Sequence, residues 1–324
     1  MAAMSTRHYH LLYITKFSLR RITNFEQILL SENSSPKRGN TIDIVIRFPV
    51  ILALAVSGAA AEVPASLQKA LLLYAPFDGS ADAKFARGDS RVYNAPNYKS
   101  VEKAEAGTGS ADVQIARGEG VRGDALRFQT INTAALFYKA VGNTAYLPNG
   151  WSGTASFWLR LDPDKDLKGF SDPLQLTDKA YNDGCIWTDF TKDDRPRHFR
   201  LGIFGNLSAW NPDNVPSEKN PAFDKRLVVL RNPPFSSQRW THVVVIWSGI
   251  GSKAGSAKLY VDGQLAGTAE GIAEPFTWQP DKALIRLGVN YVGLFDELAI
   301  FDRPLTEAEI HQLRSTTDLV KKGK

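Results

Sequence analysis

The chain has 324 residues, 43% of them hydrophobic, and a net charge of +5 from 39 basic and 34 acidic side chains. Residues 1–61 hold seven of the basic and three of the acidic residues, leaving 32 against 31, so charge gives no reason to expect nucleic acid or anionic lipid as a partner. The single cysteine, Cys185, excludes an intramolecular disulfide and a thiolate metal cluster.

Residues 1–43 show scattered Arg and Lys and no hydrophobic period, and read as an unstructured leader or as sequence upstream of the true start. Between residues 44 and 61 the pattern changes. Arg47 precedes an apolar run that ends in Gly58-Ala59-Ala60-Ala61, the tripartite form of a secretory signal with cleavage near Ala61. The run is short and is soon followed by Glu62 and Pro64, which argues against a membrane span. The mature chain is therefore expected to be secreted, or to lie in the periplasm or cell envelope, with no stable membrane span. An exported protein without disulfides points to a bacterial source. Residues 62–68 read as a linker, 69–318 as one domain and 319–324 as a basic tail.

Within the domain the reading is strands and turns. An apolar run at 70–77 stops at the turn signal Asp78-Gly79. Residues 80–120 are polar and Gly-rich and read as a surface excursion. Strands follow at 121–128 and 134–138. At 151–161, Thr154, Ser156, Trp158 and Arg160 alternate with Ala155, Phe157, Leu159 and Leu161. Shorter strands are expected at 174–177, 185–190 and 199–204, then a second long loop at 205–225 containing Asn211-Pro212 and Asn220-Pro221. The near-continuous apolar run 241–247 suits a central strand covered on both faces. Residues 258–268 form a hairpin about Asp262-Gly263, the pair that a type I′ turn demands.

After a strand at 284–289 comes the most informative segment, 293–310. Strict alternation puts Leu294, Asp296, Leu298 and Ile300 on one face and Phe295, Glu297, Ala299 and Phe301 on the other. Two adjacent carboxylates on opposite faces cannot readily act together on one bond. Pro304 ends the pairing, and Thr306 with Glu309 forms a capping box for a short helix. The fold class is all-β, a two-sheet sandwich or a barrel.

Local motifs for catalysis are missing: there is no His-x-x-x-His pair, no Gly-x-Ser-x-Gly elbow and no P-loop. His242 lies within an apolar strand and reads as a structural, hydrogen-bonded histidine. Aromatic residues are the remaining candidates. Tyr181-Asn182, Trp187, Trp210 and Trp278 lie in or beside loops, where rings can stack on pyranose faces while amides bond the hydroxyls. Trp210 is expected to be the most exposed, because Pro212, Pro216 and Pro221 stiffen its loop. Packing is the plainer role for any of these rings, given the area each can bury.

Six pieces in sequence order resemble one known family. They are Tyr74-Ala75-Pro76-Phe77-Asp78-Gly79; the Gly-x-x-Gly-x-Ala-Leu-x-Phe pattern at 120–128; Trp151 to Leu159 with its Phe157-Trp158 pair; Trp240-Thr241-His242-Val243; Leu259-Tyr260-Val261-Asp262-Gly263; and the Asp296-Glu297 strand with its Leu305-Thr306 helix start. Together they resemble the laminin G-like branch of the concanavalin A-like superfamily. The resemblance implies a jelly-roll sandwich of two antiparallel sheets with a short C-terminal helix. It also implies a structural calcium ion held by Asp296 and by oxygens near Asp78, joining the first strand to the last. The alternative for Asp296 is to accept backbone N–H bonds with no metal. The same superfamily contains laminarinase-type hydrolases, which carry a Glu-x-Asp-x-x-Glu run; this sequence has none, and no catalytic residue is assigned. The resulting expectation is an exported, non-catalytic recognition module for a glycan or cell-surface polysaccharide. A polysaccharide-active hydrolase or lyase, and a protein–protein adhesion module, are the alternatives.

Overall fold

The structure is a computed structural model and describes residues 63–132, 134–316 and 318–320. The leader, the signal segment 44–61 and residues 321–324 of the basic tail lie outside the described residues. Among the described residues seventeen strands form, in chain order. The first seven are β1 (Leu71–Ala75), β2 (Phe85–Ala86), β3 (Tyr93–Ala95), β4 (Glu105–Ala106), β5 (Val113–Ala116), β6 (Ala125–Phe128) and β7 (Ala135–Lys139). The middle set is β8 (Trp151–Arg160), β9 (Ser171–Thr177), β10 (Cys185–Phe190), β11 (Phe199–Phe204) and β12 (Leu227–Leu230). The last five are β13 (Thr241–Ile250), β14 (Ser256–Val261), β15 (Gln264–Glu270), β16 (Leu284–Val289) and β17 (Gly293–Phe301).

These pair into two antiparallel sheets. One has nine strands in the order β15-β14-β13-β8-β17-β1-β2, with β6 also pairing β17 and β5 pairing β6. The other has eight, in the order β12-β11-β10-β9-β16-β7-β3-β4. Alternating apolar residues of both sheets, such as Phe157, Leu159, Val243 and Val245 against Leu174, Leu176, Leu201 and Ile285, fill one shared core. Edge strands β12 and β15 lie against each other, where Gly267 sits under Val228.

A second apolar layer covers the outer face of the nine-stranded sheet. The helix Ala65–Ala70 and the C-terminal helix Glu307–Ser315 pack Leu67, Ile310 and Leu313 against Tyr74, Val244 and Phe301. That cover explains why β13 is apolar on both faces. The C-terminal helix carries the capping box, with Thr306 accepting from the Glu309 N–H and Glu309 accepting from the Thr306 N–H. Asp262 and Gly263 both have positive φ (52° and 81°), as the tight hairpin needs.

Three local expectations are corrected. Residues 62–68, read as a linker, include the start of the Ala65–Ala70 helix, whose Leu67 is fully buried. The excursion 80–120 contributes β2 to β5 rather than loop alone. The alternation assigned to β17 also fails. Phe295 and Leu298, three positions apart, both enter the core. The register with β8 shifts between Asp296 and Ala299, and Glu297 has φ +54°. This is a β-bulge, in which one extra residue changes the face of everything before it. Asp296 and Glu297 therefore share the outer side of the sheet.

Candidate functional site: a cleft on the eight-stranded sheet

Alternation along β10 sends Ile186 and Phe190 into the core and Cys185, Trp187 and Asp189 outward. On neighbouring β11, Phe199, Leu201 and Ile203 point inward, leaving Arg200 and Phe204 outside. Trp187 pairs with Gly202, and a side chain on Gly202 would collide with the indole, so the glycine lets the ring lie across the neighbouring strand. The indole N–H donates to the Tyr181 carbonyl at 2.7 Å, fixing the ring and the Tyr181 loop together.

Above this patch opens a cleft of about 590 Å³. Its walls include Phe170 and Tyr181, which are 50% and 46% exposed, with Phe223 and Trp187 deeper. Polar groups converge among the rings. Arg200 donates from Nε to Asp189 Oδ1 at 2.8 Å and from Nη2 to Asp189 Oδ2 at 2.5 Å. The same guanidinium lies over Phe170 (5.5 Å) and Trp187 (5.4 Å). Gln175 donates to Asp172 at 2.6 Å and accepts from Arg286 at 3.3 Å, and Asn290 completes the lining. Burial, reinforced by the charge of Asp189, pushes the Asp172 carboxyl from its ordinary 3.8 up to about 8. Burial also raises Asp189, against the pull of its Arg200 partner.

The structure distributes the sequence candidates unevenly. Tyr181 and Trp187 meet in the cleft. Trp210 was expected to be the most exposed ring, and this is corrected: it is 6% exposed, because it packs on Phe204 and Phe223 under the guanidinium of Arg226. Its indole N–H donates to the carbonyl of Asn182, so Asn182 anchors the loop through its backbone and lies outside the cleft lining. Trp278 is corrected likewise. It is part of the inter-sheet core, stacked on Tyr146 at 4.7 Å, with its N–H donating to the Gly184 carbonyl. Residues missed from the sequence are Phe170, Asp172, Gln175, Asp189 and Arg200. For Asp189 and Arg200 the signal was present, since each alternates with core residues on a recognised strand.

Asp296 and Asp78 come together at a different place. Asp296 is fully buried, and its two carboxylate oxygens accept the N–H groups of Val121 and Glu297. Asp78 accepts the Asp124 N–H, and Asp124 accepts those of Gly118 and Gly79. Three carboxylates thus clamp the turn 118–124 between the first and last strands, which is why β6 begins only at Ala125. Neither Asp296 nor Glu297 forms an ion pair among the described residues. Burial, with each acid near other acids, raises Asp296 to about 8 and Glu297 to about 7, while the Tyr74 hydroxyl donates to Glu297 at 2.8 Å. Both Asp296 oxygens thus accept backbone N–H bonds, the metal-free role that the sequence left open for it. Among the described residues no group of three or more His, Cys, Asp or Glu side chains is placed to hold a metal, so backbone carbonyls would complete the ligand set.

Comparison with known proteins agrees with this architecture. A laminin G-like profile, described as the concanavalin A-like lectin/glucanases superfamily, matches residues 138–311. Among curated proteins, none matches the sequence. Solved structures that resemble the chain include the botulinum neurotoxin serotype D ligand-binding domain in complex with N-acetylneuraminic acid. It has a TM-score of 0.50 and 10% identity, covering 77% of this chain and 52% of the toxin domain, so this chain spans about half its length. Domain 4 of AbnA, an extracellular arabinanase of Geobacillus stearothermophilus solved with arabinotriose, matches with 18% identity and a TM-score of 0.45 over 76% of this chain and 98% of its own. The sheet order, the shared core and the profile over more than half the sequence place the chain in the laminin G-like branch of the concanavalin A-like lectin/glucanase superfamily.

Proposed function

We propose that the protein is an exported glycan-recognition module whose binding site is the cleft on the eight-stranded sheet. One observation carries the reading. Two exposed rings, Phe170 and Tyr181, flank hydrogen-bonding groups that are already fixed by contacts within the protein. A saccharide needs this combination: flat apolar surfaces for its C–H faces, and preorganised acceptors and donors for its hydroxyls, so that little ordering entropy is lost on binding. Membership of a superfamily of lectins and glucanases supports the reading. No helix among the described residues is long and apolar enough to cross a membrane. Calcium at Asp296 would act apart from the cleft, tying the turn 118–124 to the last strand.

The test is a polysaccharide panel measured for both retention and product release. Retention without turnover supports recognition. Release of oligosaccharide shows an enzyme, and absence of retention by any member overturns the proposal.

A further inference from the structure

Resting on the reading of the cleft as a glycan site, one feature of its chemistry goes further. The cleft lining contains a single arginine, Arg200; its Nε–Nη2 edge is paired, while Nη1 makes no hydrogen bond among the described residues. Nε and Nη2 bond the two oxygens of Asp189, while the flat faces meet Phe170 and Trp187. Arg286, which bonds the lining residue Gln175, is also occupied by the Lys179 carbonyl and covered by Tyr98. The remaining charged groups of the lining, Asp172, Glu218 and Asp224, are all acidic and form no ion pair among the described residues. Burial of Asp172, and after it the charge of Asp189, pushes this carboxyl up to about 8, and the lining supplies no unpaired cation to counter that shift. A ligand carboxylate or sulfate would meet the same opposition. Ligand hydroxyls and ammonium groups, which donate, would find acceptors.

We propose that Asp189 sets the charge selectivity of the cleft: by holding Arg200 in a two-point ion pair it neutralises the one cation of the lining, and Glu218 and Asp224 then leave the cleft negative towards an acidic sugar. The cleft accordingly takes neutral or amino-substituted glycans and rejects uronates and sialylated chains. A carboxylate-binding site would need the opposite arrangement, an arginine fork turned to the ligand.

The experiment measures binding of the purified protein to linear arabinan, chitosan, polygalacturonate and sialyllactose at low salt. The wild-type protein is expected to bind arabinan or chitosan and to bind neither acidic probe. Asp189→Asn releases the Arg200 charge and is expected to tighten binding of an acidic probe by about tenfold or more. Arg200→Lys keeps the charge but loses the two-point bond, and is expected to shift the preference in the same direction. It decides the matter if Asp189→Asn does not fold. Acidic probes bound by the wild type as tightly as neutral ones overturn the proposal, as does an unchanged preference in a folded variant. Binding of none of the four probes overturns it together with the glycan reading.

Discussion

Two substitutions in neighbouring aromatic residues separate binding from packing. Tyr181 is 46% exposed on the lip of the cleft, and its hydroxyl has only Ser217 at 3.3 Å as a partner. A tyrosine of roughly 200 Å² leaves about 90 Å² open at that exposure, and one ring face is about half of it. At about 25 cal/mol per Å², covering that face with a sugar contributes roughly 1 kcal/mol, or five- to tenfold in Kd. Tyr181→Ala should weaken glycan binding by about that factor and leave the melting temperature nearly unchanged. Trp210→Ala should do the reverse. It empties a 6% exposed site between Phe204 and Phe223 and removes the bond to the Asn182 carbonyl, costing about 3–5 kcal/mol of stability. Titration calorimetry against a retained polysaccharide, paired with thermal melts, reads both. If Tyr181→Ala binds as well as the wild type, or Trp210→Ala loses binding with no fall in melting temperature, the assignment of the cleft is wrong.

Calcium should raise the melting temperature of the wild-type protein relative to chelator, and Asp296→Ala should abolish that difference; a calcium increment that survives the substitution would place the ion elsewhere. Without added metal, stability should decline as pH rises from about 4 to about 8. Asp296, Glu297 and Asp172 have folded values raised well above the ordinary carboxylate range, so their contribution is complete below the unfolded value and lost on passing the folded one. Melts at a series of pH values check this, and a flat profile over that window refutes it. His242 works in the opposite sense. Burial lowers it to about 3, so the unfolded chain gains its proton first and the contribution of His242 falls as pH drops from 6.5 toward 3, partly offsetting the three carboxylates. His242→Gln should therefore steepen the decline between about pH 4 and 6.5, while costing some stability through the Ser156 contact. Arg197, 1% exposed, donates to the carbonyls of Leu167, Gly169 and Thr191, and Arg197→Met should destabilise by about 3–5 kcal/mol in denaturant titration, since three buried carbonyls lose their donor.

Much of the fold was legible because each strand carries its own evidence. Regular alternation in β8 and the Asp262-Gly263 turn are local patterns, and both hold in the structure. Strands of four residues without regular alternation, such as β5 and β12, were too short to be read this way. The long loop 205–225 was recognised, but its cover over the sheet was not. Trp210 and Phe223 are buried by the strands beneath them, and the stiffness of a proline-rich loop says nothing about where its rings settle.

The candidate site shows the same division more sharply. Alternation places Trp187 and Asp189 on one face of β10, and Arg200 opposite the core residues of β11, all from local sequence. What no local pattern encodes is that these strands are adjacent in a register pairing Asp189 with Arg200. That pairing turns an acidic residue near a strand end into the partner of the one arginine among the described lining residues. At Asp296-Glu297 the failure runs the other way. The alternation rule is sound, but a single inserted residue breaks it, and the polar dipeptide inside an apolar strand was itself the sign that regular pairing stops there. Where a charged pair interrupts a core strand, a bulge and strict alternation make opposite predictions about faces. Here the bulge wins because it keeps both Phe295 and Leu298 buried, while the polar partners Val121 and Tyr74 satisfy the two carboxylates outside.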